Sequence, residues 1–213
     1  MLWIFLIIPV AIATYYFFPE KKLNAFWYAP QNVHHPRIFI SELRVNDLSP
    51  ATQEIIRSYT NEVDADPVDK LDLDNWEQVD EFLHSGLWRL PSWKDYKALS
   101  EESEYAAWAI YNRYYLNHFT ISVHNLKEGY NTIASFNNFL EQHGFILNNS
   151  SGKIKKSPDG GLLQSSTVAH MIEAAFAAGD VHQIPGSYVE FAERRILPEF
   201  QHLSLTEIKR EHR

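Results

Sequence analysis

The chain has 213 residues, 45% of them hydrophobic and 22% charged, which suits one compact domain, or one domain with an appendage, and excludes a disordered polymer. Nineteen basic against twenty-seven acidic residues leave a formal net charge of −8, so nucleic acid is not an expected partner. With no cysteine there is no disulfide, thiol nucleophile or Cys-ligated metal, and any metal must be held by carboxylates and the ten histidines.

Residues 1–18 carry no charge and are followed by Pro19, Glu20, Lys21 and Lys22. A run of this length is at the lower limit for crossing roughly 30 Å of hydrocarbon. It reads as a signal anchor flanked by Lys21 and Lys22, as a cleavable signal with Ala11-Ile12-Ala13 as the small-x-small site, or as an ordinary strand or helix. Membrane contact is expected through residues 1–18 alone.

Residues 19–116 form a strand and loop stretch followed by a helical region. Pro30 and Pro36 punctuate the first part, and Arg37 to Leu43 predicts a strand. Ser49-Pro50 reads as an N-cap with proline at the first helical position, ahead of Ile55, Ile56 and Tyr59 at helical spacing. The acidic stretch Asp64 to Asp74 predicts an exposed connector. Further helices are expected over Asn75 to Leu87 and Ser92 to Tyr115. In the second, Ser100 with Ser103 and Glu104 reads as the cap of a long helix whose Tyr105, Trp108, Tyr111 and Tyr115 fall near one face as an aromatic core stripe.

The pattern changes over residues 117–200. Phe119 to Val123 predicts a strand, Tyr130 to His143 an amphipathic helix stopped by Gly144, and shorter strands follow at Phe145 to Leu147, Leu162 to Thr167 and Ala174 to Phe176. Tyr188 to Ala192 is the last strand, and residues 201–213 are expected to form a helical tail. The fold class is therefore α+β, a βαβββ module preceded by a helical region. His118 stands at the start of the module's first strand, and Glu190 lies inside its last. A carboxylate among apolar strand residues must face water, be paired or bind metal, because burying it bare is very unfavourable. The two residues are 72 apart in sequence and can meet only if the first and last strands lie side by side.

Several stretches carry a family resemblance: Pro36 to Leu43, Glu102 to Trp108 leading into Asn117-His118-Phe119-Thr120, Ser157 to Thr167, and Ser187 to Arg194. From about Phe18 onward the chain resembles the 2-oxoadipate dioxygenase/decarboxylase family, most closely its plant-like members. The resemblance implies a vicinal-oxygen-chelate-like fold and a mononuclear Fe(II) enzyme that converts 2-oxoadipate and dioxygen to 2-hydroxyglutarate and CO2 in lysine degradation. It further implies a metal held by two histidines and one glutamate, of which His118 matches the second histidine and Glu190 the carboxylate. The family's first histidine belongs to an upstream motif, a His followed shortly by an Arg that grips the substrate, with no counterpart here, and His34 and His35 occupy a family loop rather than that motif. The expectation is thus a chain shortened at both ends, with residues 1–18 either an anchor or an artefact of the gene start. The alternative is an inactive fragment with an incomplete metal site.

The residue types suit that chemistry. A 2-oxo acid chelates Fe(II) through its keto oxygen and carboxylate, and three protein ligands on one face leave room for it and for dioxygen. The far carboxylate needs a cation, for which Arg194 and Arg195 are weak candidates that strand alternation sends to opposite faces. Gln164, Ser165 and Ser166 are candidates to donate hydrogen bonds to substrate. His124, out of phase with His118, is not expected to share its ligand. A plastid or cytosolic location is expected if residues 1–18 are an artefact.

Overall fold

The computed structural model describes residues 10–30, 35–113 and 115–197, with the side chains of residues 10–14 left aside. Two compact units are present, one of residues 1–115 with 175–182 and one of residues 116–174 with 183–213.

In the first unit, strands β1 (Val10–Phe18), β2 (Leu23–Pro30) and β3 (Ile38–Leu43) form an antiparallel sheet in that order. β1 pairs with β2 from Val10↔Pro30 to Phe18↔Leu23. Residues 10–18 of the apolar leader are therefore a strand and not part of a spanning helix, and residues 1–9 lie outside the described residues. Among the described residues no helix is long and apolar enough to cross a membrane. β2 is a strand that the strand-and-loop reading of this stretch did not single out, and its Leu23, Ala25 and Tyr28 supply buried side chains.

Four helices follow: α1 (Pro50–Thr60), α2 (Trp76–His84), α3 (Trp93–Glu102) and α4 (Glu104–Asn112). α1 starts as the sequence predicts, with the Ser49 hydroxyl accepting from the Thr52 N–H and Pro50 at the first position. The helical stretch expected from Ser92 to Tyr115 is two helices, and of the cap residues expected there it is Ser103 that caps the second. Ser103 takes an extended conformation (φ −151°, ψ 107°), and its hydroxyl accepts from the Ala106 N–H, so one residue ends α3 and caps α4. The aromatic stripe is corrected as well. α4 buries Ala106, Ala107 and Ile110 beside Ile56, Tyr59 and Leu99, while Tyr105 and Tyr115 are exposed.

The second unit contains strand β4 (His118–Ser122), helix α5 (Ile133–Gln142) and strands β5 (Lys155–Lys156) and β6 (Leu162–Ser166). Next along the chain come β7 (Met171–Ala175) and β8 (Val181–Pro185), which pair as a separate two-stranded sheet, and then β9 (Tyr188–Arg194). The segment between β7 and β8 belongs to the first unit, where Phe176 is buried among Trp93, Tyr96 and Tyr111 and the Ala177 N–H donates to the Pro91 carbonyl. A strand centred on Ala174 to Phe176 inside the module is thereby corrected. The main sheet runs β4-β9-β6-β5, so the first and last strands of the module are neighbours. β4 and β9 are parallel, and β9–β6 and β6–β5 are antiparallel.

Helix α5 covers one face of this sheet. Ile133 and Leu140, with Phe136 and Phe139 partly buried, pack on Leu163 and Phe191. Strand alternation consigns Val189, Phe191 and Glu193 to that covered face and Tyr188, Glu190 and Ala192 to the other. Thr132 caps α5 through the Ser135 N–H, and Gly144 follows it with φ +82°, where a side chain would be strained. Phe145 to Leu147 makes only a single bridge, Leu147↔Thr167, rather than a strand. Residues 201–213, expected as a helical tail, lie outside the described residues.

Candidate metal centre

The open face of the sheet, opposite α5, carries the polar groups. In the parallel register His118 stands beside Tyr188 and Thr120 beside Glu190, so these four side chains emerge together. His118 Nε2 lies 3.3 Å from Glu190 Oε2, both side chains being about a quarter exposed (26% and 27%). The Tyr188 ring stacks on the imidazole at 4.6 Å and 21°. The Thr120 hydroxyl donates to Glu190 Oε2 at 3.4 Å, and the Ser187 hydroxyl donates to the Asn117 carbonyl, tying the starts of β4 and β9 together.

The partner of the other imidazole nitrogen determines what the pair can do. His118 Nδ1 lies 2.6 Å from Asn117 Oδ1, an atom that only accepts, so Nδ1 carries a proton. The neutral ring then presents the Nε2 lone pair to an anionic oxygen. That approach is attractive only with a positive charge between the two atoms, either a second ring proton or a metal ion. Two donors 3.3 Å apart are near enough for both to reach one metal ion. With the second ring proton in place, Glu190 is held below the usual carboxylate range, first by the hydrogen bond from His118, against burial, which pushes it up; the charge of His118, Thr120 and the charge of Lys155 add to the lowering. It is thus an anion at neutral pH, as a metal ligand must be. The residues present fit two positions of a His/carboxylate metal site. Among the described residues no group of three or more His, Asp or Glu side chains is placed to hold a metal.

The other candidates separate by face. Gln164 pairs with Ala192 and Ser166 with Glu190, so both share the open face. Ser165 pairs with Phe191 and points the other way, buried, its hydroxyl donating to Asn137 Oδ1 at 2.7 Å. It is corrected to a packing residue by the two-residue period of the strand. Arg194 shares Glu190's face but stands opposite Leu162, farther along β9, and Arg195 Nε donates to Glu193 Oε1 at 2.6 Å. His124 sits on the turn after β4, where its Nδ1 lies 3.2 Å from the Arg194 backbone N–H. His34 is outside the described residues, and His35 is an exposed residue before β3.

Three relevant residues are not evident as functional groups in the sequence. Asn117 is legible as the neighbour of His118, but its contact with Nδ1 is a matter of rotamer. Lys155 lies on a two-residue strand too short to show a period. Glu193 is legible as opposite in phase to Glu190: its carboxylate accepts from the Ile133 N–H at 2.7 Å, at the N-terminus of α5.

Comparison with known proteins follows the same lines. The family model for 2-oxoadipate dioxygenase/decarboxylase matches residues 1–207, so the match takes in the apolar leader and does not start at Phe18. The chain is 45% identical over 207 residues to the chloroplastic 2-oxoadipate dioxygenase/decarboxylase of Arabidopsis thaliana, covering 92% of this chain and 54% of that protein. It superposes on the hydroxyglutarate synthase of Oryza sativa, solved in complex with 2-oxoadipate, with a TM-score of 0.77 and 42% identity over 94% of this chain and 65% of that one. A protein of Ralstonia eutropha JMP134 described as of the glyoxalase superfamily matches with a TM-score of 0.62 at 18% identity, over 87% of this chain and 62% of that one, a likeness of fold alone. The α+β, vicinal-oxygen-chelate-like class is thus the observed one. The chain spans about half the length of the curated relatives it matches.

Proposed function

Because the chain belongs to the 2-oxoadipate dioxygenase/decarboxylase family, we propose that it serves an Fe(II)-dependent dioxygenase/decarboxylase converting 2-oxoadipate and O2 to 2-hydroxyglutarate and CO2. The observation that carries this reading is the meeting of His118 Nε2 and Glu190 Oε2 at 3.3 Å across β4 and β9, with Nδ1 held by Asn117.

His118 and Glu190 would hold the ferrous ion. Iron held there would supply a Lewis acid for the 2-oxo acid to chelate and the one-electron chemistry that dioxygen requires. The protein's part is to fix the ligands. Asn117 sets the imidazole tautomer, the Tyr188 ring fixes its plane, and Thr120 steadies the carboxylate. Gln164 and Ser166, on the same face, are placed to donate hydrogen bonds to substrate oxygens. The reaction balances without another reductant: 2-oxoadipate loses C1 as CO2, its carbon chain is hydroxylated, and the two oxygen atoms of O2 are shared between the new carboxylate and the new hydroxyl. The relatives' plastid names support a plastid location for this chain as well.

A second reading is that this stretch binds metal without turnover. It draws on the two-ligand centre, with no third His, Asp or Glu beside it among the described residues. Anaerobic Fe(II) titration followed by oxygen-electrode assay separates the two. The enzymatic reading requires 1:1 binding and oxygen uptake dependent on 2-oxoadipate, both abolished in His118→Ala and Glu190→Ala. Binding that both substitutions abolish, without oxygen uptake, leaves the second reading. Binding indifferent to both substitutions removes the centre itself.

A further inference from the structure

Among the described residues, helix α2 leaves its apolar side without a cover. None of its nine residues is buried, and Trp76 at its first position is 73% exposed. Trp76, Val79 and Leu83 recur at three- and four-residue spacing and so share one face of the helix. With Leu73 from the preceding loop they line an open groove of about 470 Å³, edged by Asp74 and Asp80. Local hydrogen bonds build this groove. The Asp72 N–H donates to Gln78 Oε1 at 2.6 Å, the Asp74 N–H to Asp72 Oδ1 at 3.1 Å and the Gln78 N–H to Asn75 Oδ1 at 3.2 Å, folding the Leu73 loop onto the start of the helix. A helix this short is marginal in water by itself, and burial of its apolar face is what stabilises one in a protein.

Charge selects what can cover that face. Between Asp64 and His84 stand eight acidic side chains against one lysine, Lys70, so this stretch carries nearly all of the chain's formal charge of −8. A second copy docking by the same face would set like charges against each other, and an anionic lipid surface or a nucleic acid meets the same repulsion. A cationic segment with an apolar anchor is complementary in both respects. Its apolar side chain fills the groove beside Trp76, and lysine or arginine heads on either side reach Asp74 and Asp80.

We propose that the α2 groove docks a basic amphipathic segment of another protein, one that sets a large apolar side chain between lysines or arginines. Trp76 is the anchor of the contact, since an aromatic side chain in a desolvated pocket carries a large share of binding energy. The surrounding carboxylates give the contact its specificity and its salt dependence. Docking there requires no metal at His118 and Glu190.

Fluorescence anisotropy on the full chain tests the proposal with a labelled amphipathic helix of leucine and lysine, set against its leucine–glutamate counterpart and a lysine-only peptide. The leucine–lysine peptide is expected to bind about tenfold or more tightly than either control. Trp76→Ser should weaken it about 10- to 30-fold. Asp74→Asn combined with Asp80→Asn should weaken it about 3- to 10-fold and remove most of its salt dependence. All three side chains are exposed, so the variants should keep the parent's Tm. Affinity that survives Trp76→Ser, a control peptide that binds equally well, or no binding by the leucine–lysine peptide overturns the proposal. A dimer in sedimentation that Trp76→Ser dissociates assigns the face to a second copy and overturns it too.

Discussion

His118 shows how much one hydrogen bond determines. If Asn117 Oδ1 holds the proton on Nδ1, Asn117→Ala should lower Fe(II) affinity about 10- to 100-fold, while Asn117→Asp, which still accepts from Nδ1, should keep it. Competition with a chelator of known affinity reads the difference directly. Glu193, three residues past Glu190, does unrelated work: buried, it pairs with Arg195 and accepts from the Ile133 N–H. Glu193→Ala leaves that buried N–H unpaired and should destabilise the protein by about 1–3 kcal/mol in urea unfolding, without touching the face that carries His118 and Glu190. Two glutamates three positions apart on one strand thus serve opposite faces, and the two-residue period of a strand makes this legible in the sequence. The atoms that each carboxylate meets are not legible there.

The helix break at Ser103 belongs to the scale of elements. A hydroxyl that competes for the backbone converts one periodic stretch into two helices, and Ser103→Ala should cost about 1 kcal/mol by thermal unfolding. At the end of α3, Glu102 accepts from Lys22 Nζ, from the Ser49 and Thr52 hydroxyls and from the Ser49 N–H, so α1 is capped by a carboxylate from another helix as well as by its own serine. The hydrogen bond from Lys22, followed by those from Thr52 and Ser49, lowers Glu102 from 4.5 to about 2. A depressed carboxylate stabilises the fold fully above its unfolded value and loses that contribution as pH falls through its folded value. The melting temperature of Glu102→Gln should accordingly lie below that of the parent at pH 6, and the gap should close between about pH 4.5 and pH 2. The serine caps are legible because they act within four residues. The carboxylate cap is not, because Glu102 reaches Ser49 from 53 residues away.

For the whole molecule the relevant fact is the sheet order. Phe191 anchors β9 to α5, with its ring 5.1 Å from that of Phe136, and Phe191→Ala should cost about 3–5 kcal/mol. Because Glu190 is its neighbour on the strand, the same substitution should also weaken Fe(II) binding, which calorimetry on the folded fraction would detect. The sequence by itself determined the absence of thiol chemistry, the first and last strands of the module and the amphipathic helix between them, the family, and the identity of an imidazole and a carboxylate in strands. These follow from composition and from patterns that repeat within a few residues. Only the tertiary structure decided that β4 and β9 are neighbours, that Ser165 faces the helix, that residues 175–182 join the helical unit, and that Lys155 faces the same side as Glu190. Each of these depends on pairing between segments distant in sequence, and register across such a gap is fixed by the packing of whole faces, which no local pattern encodes.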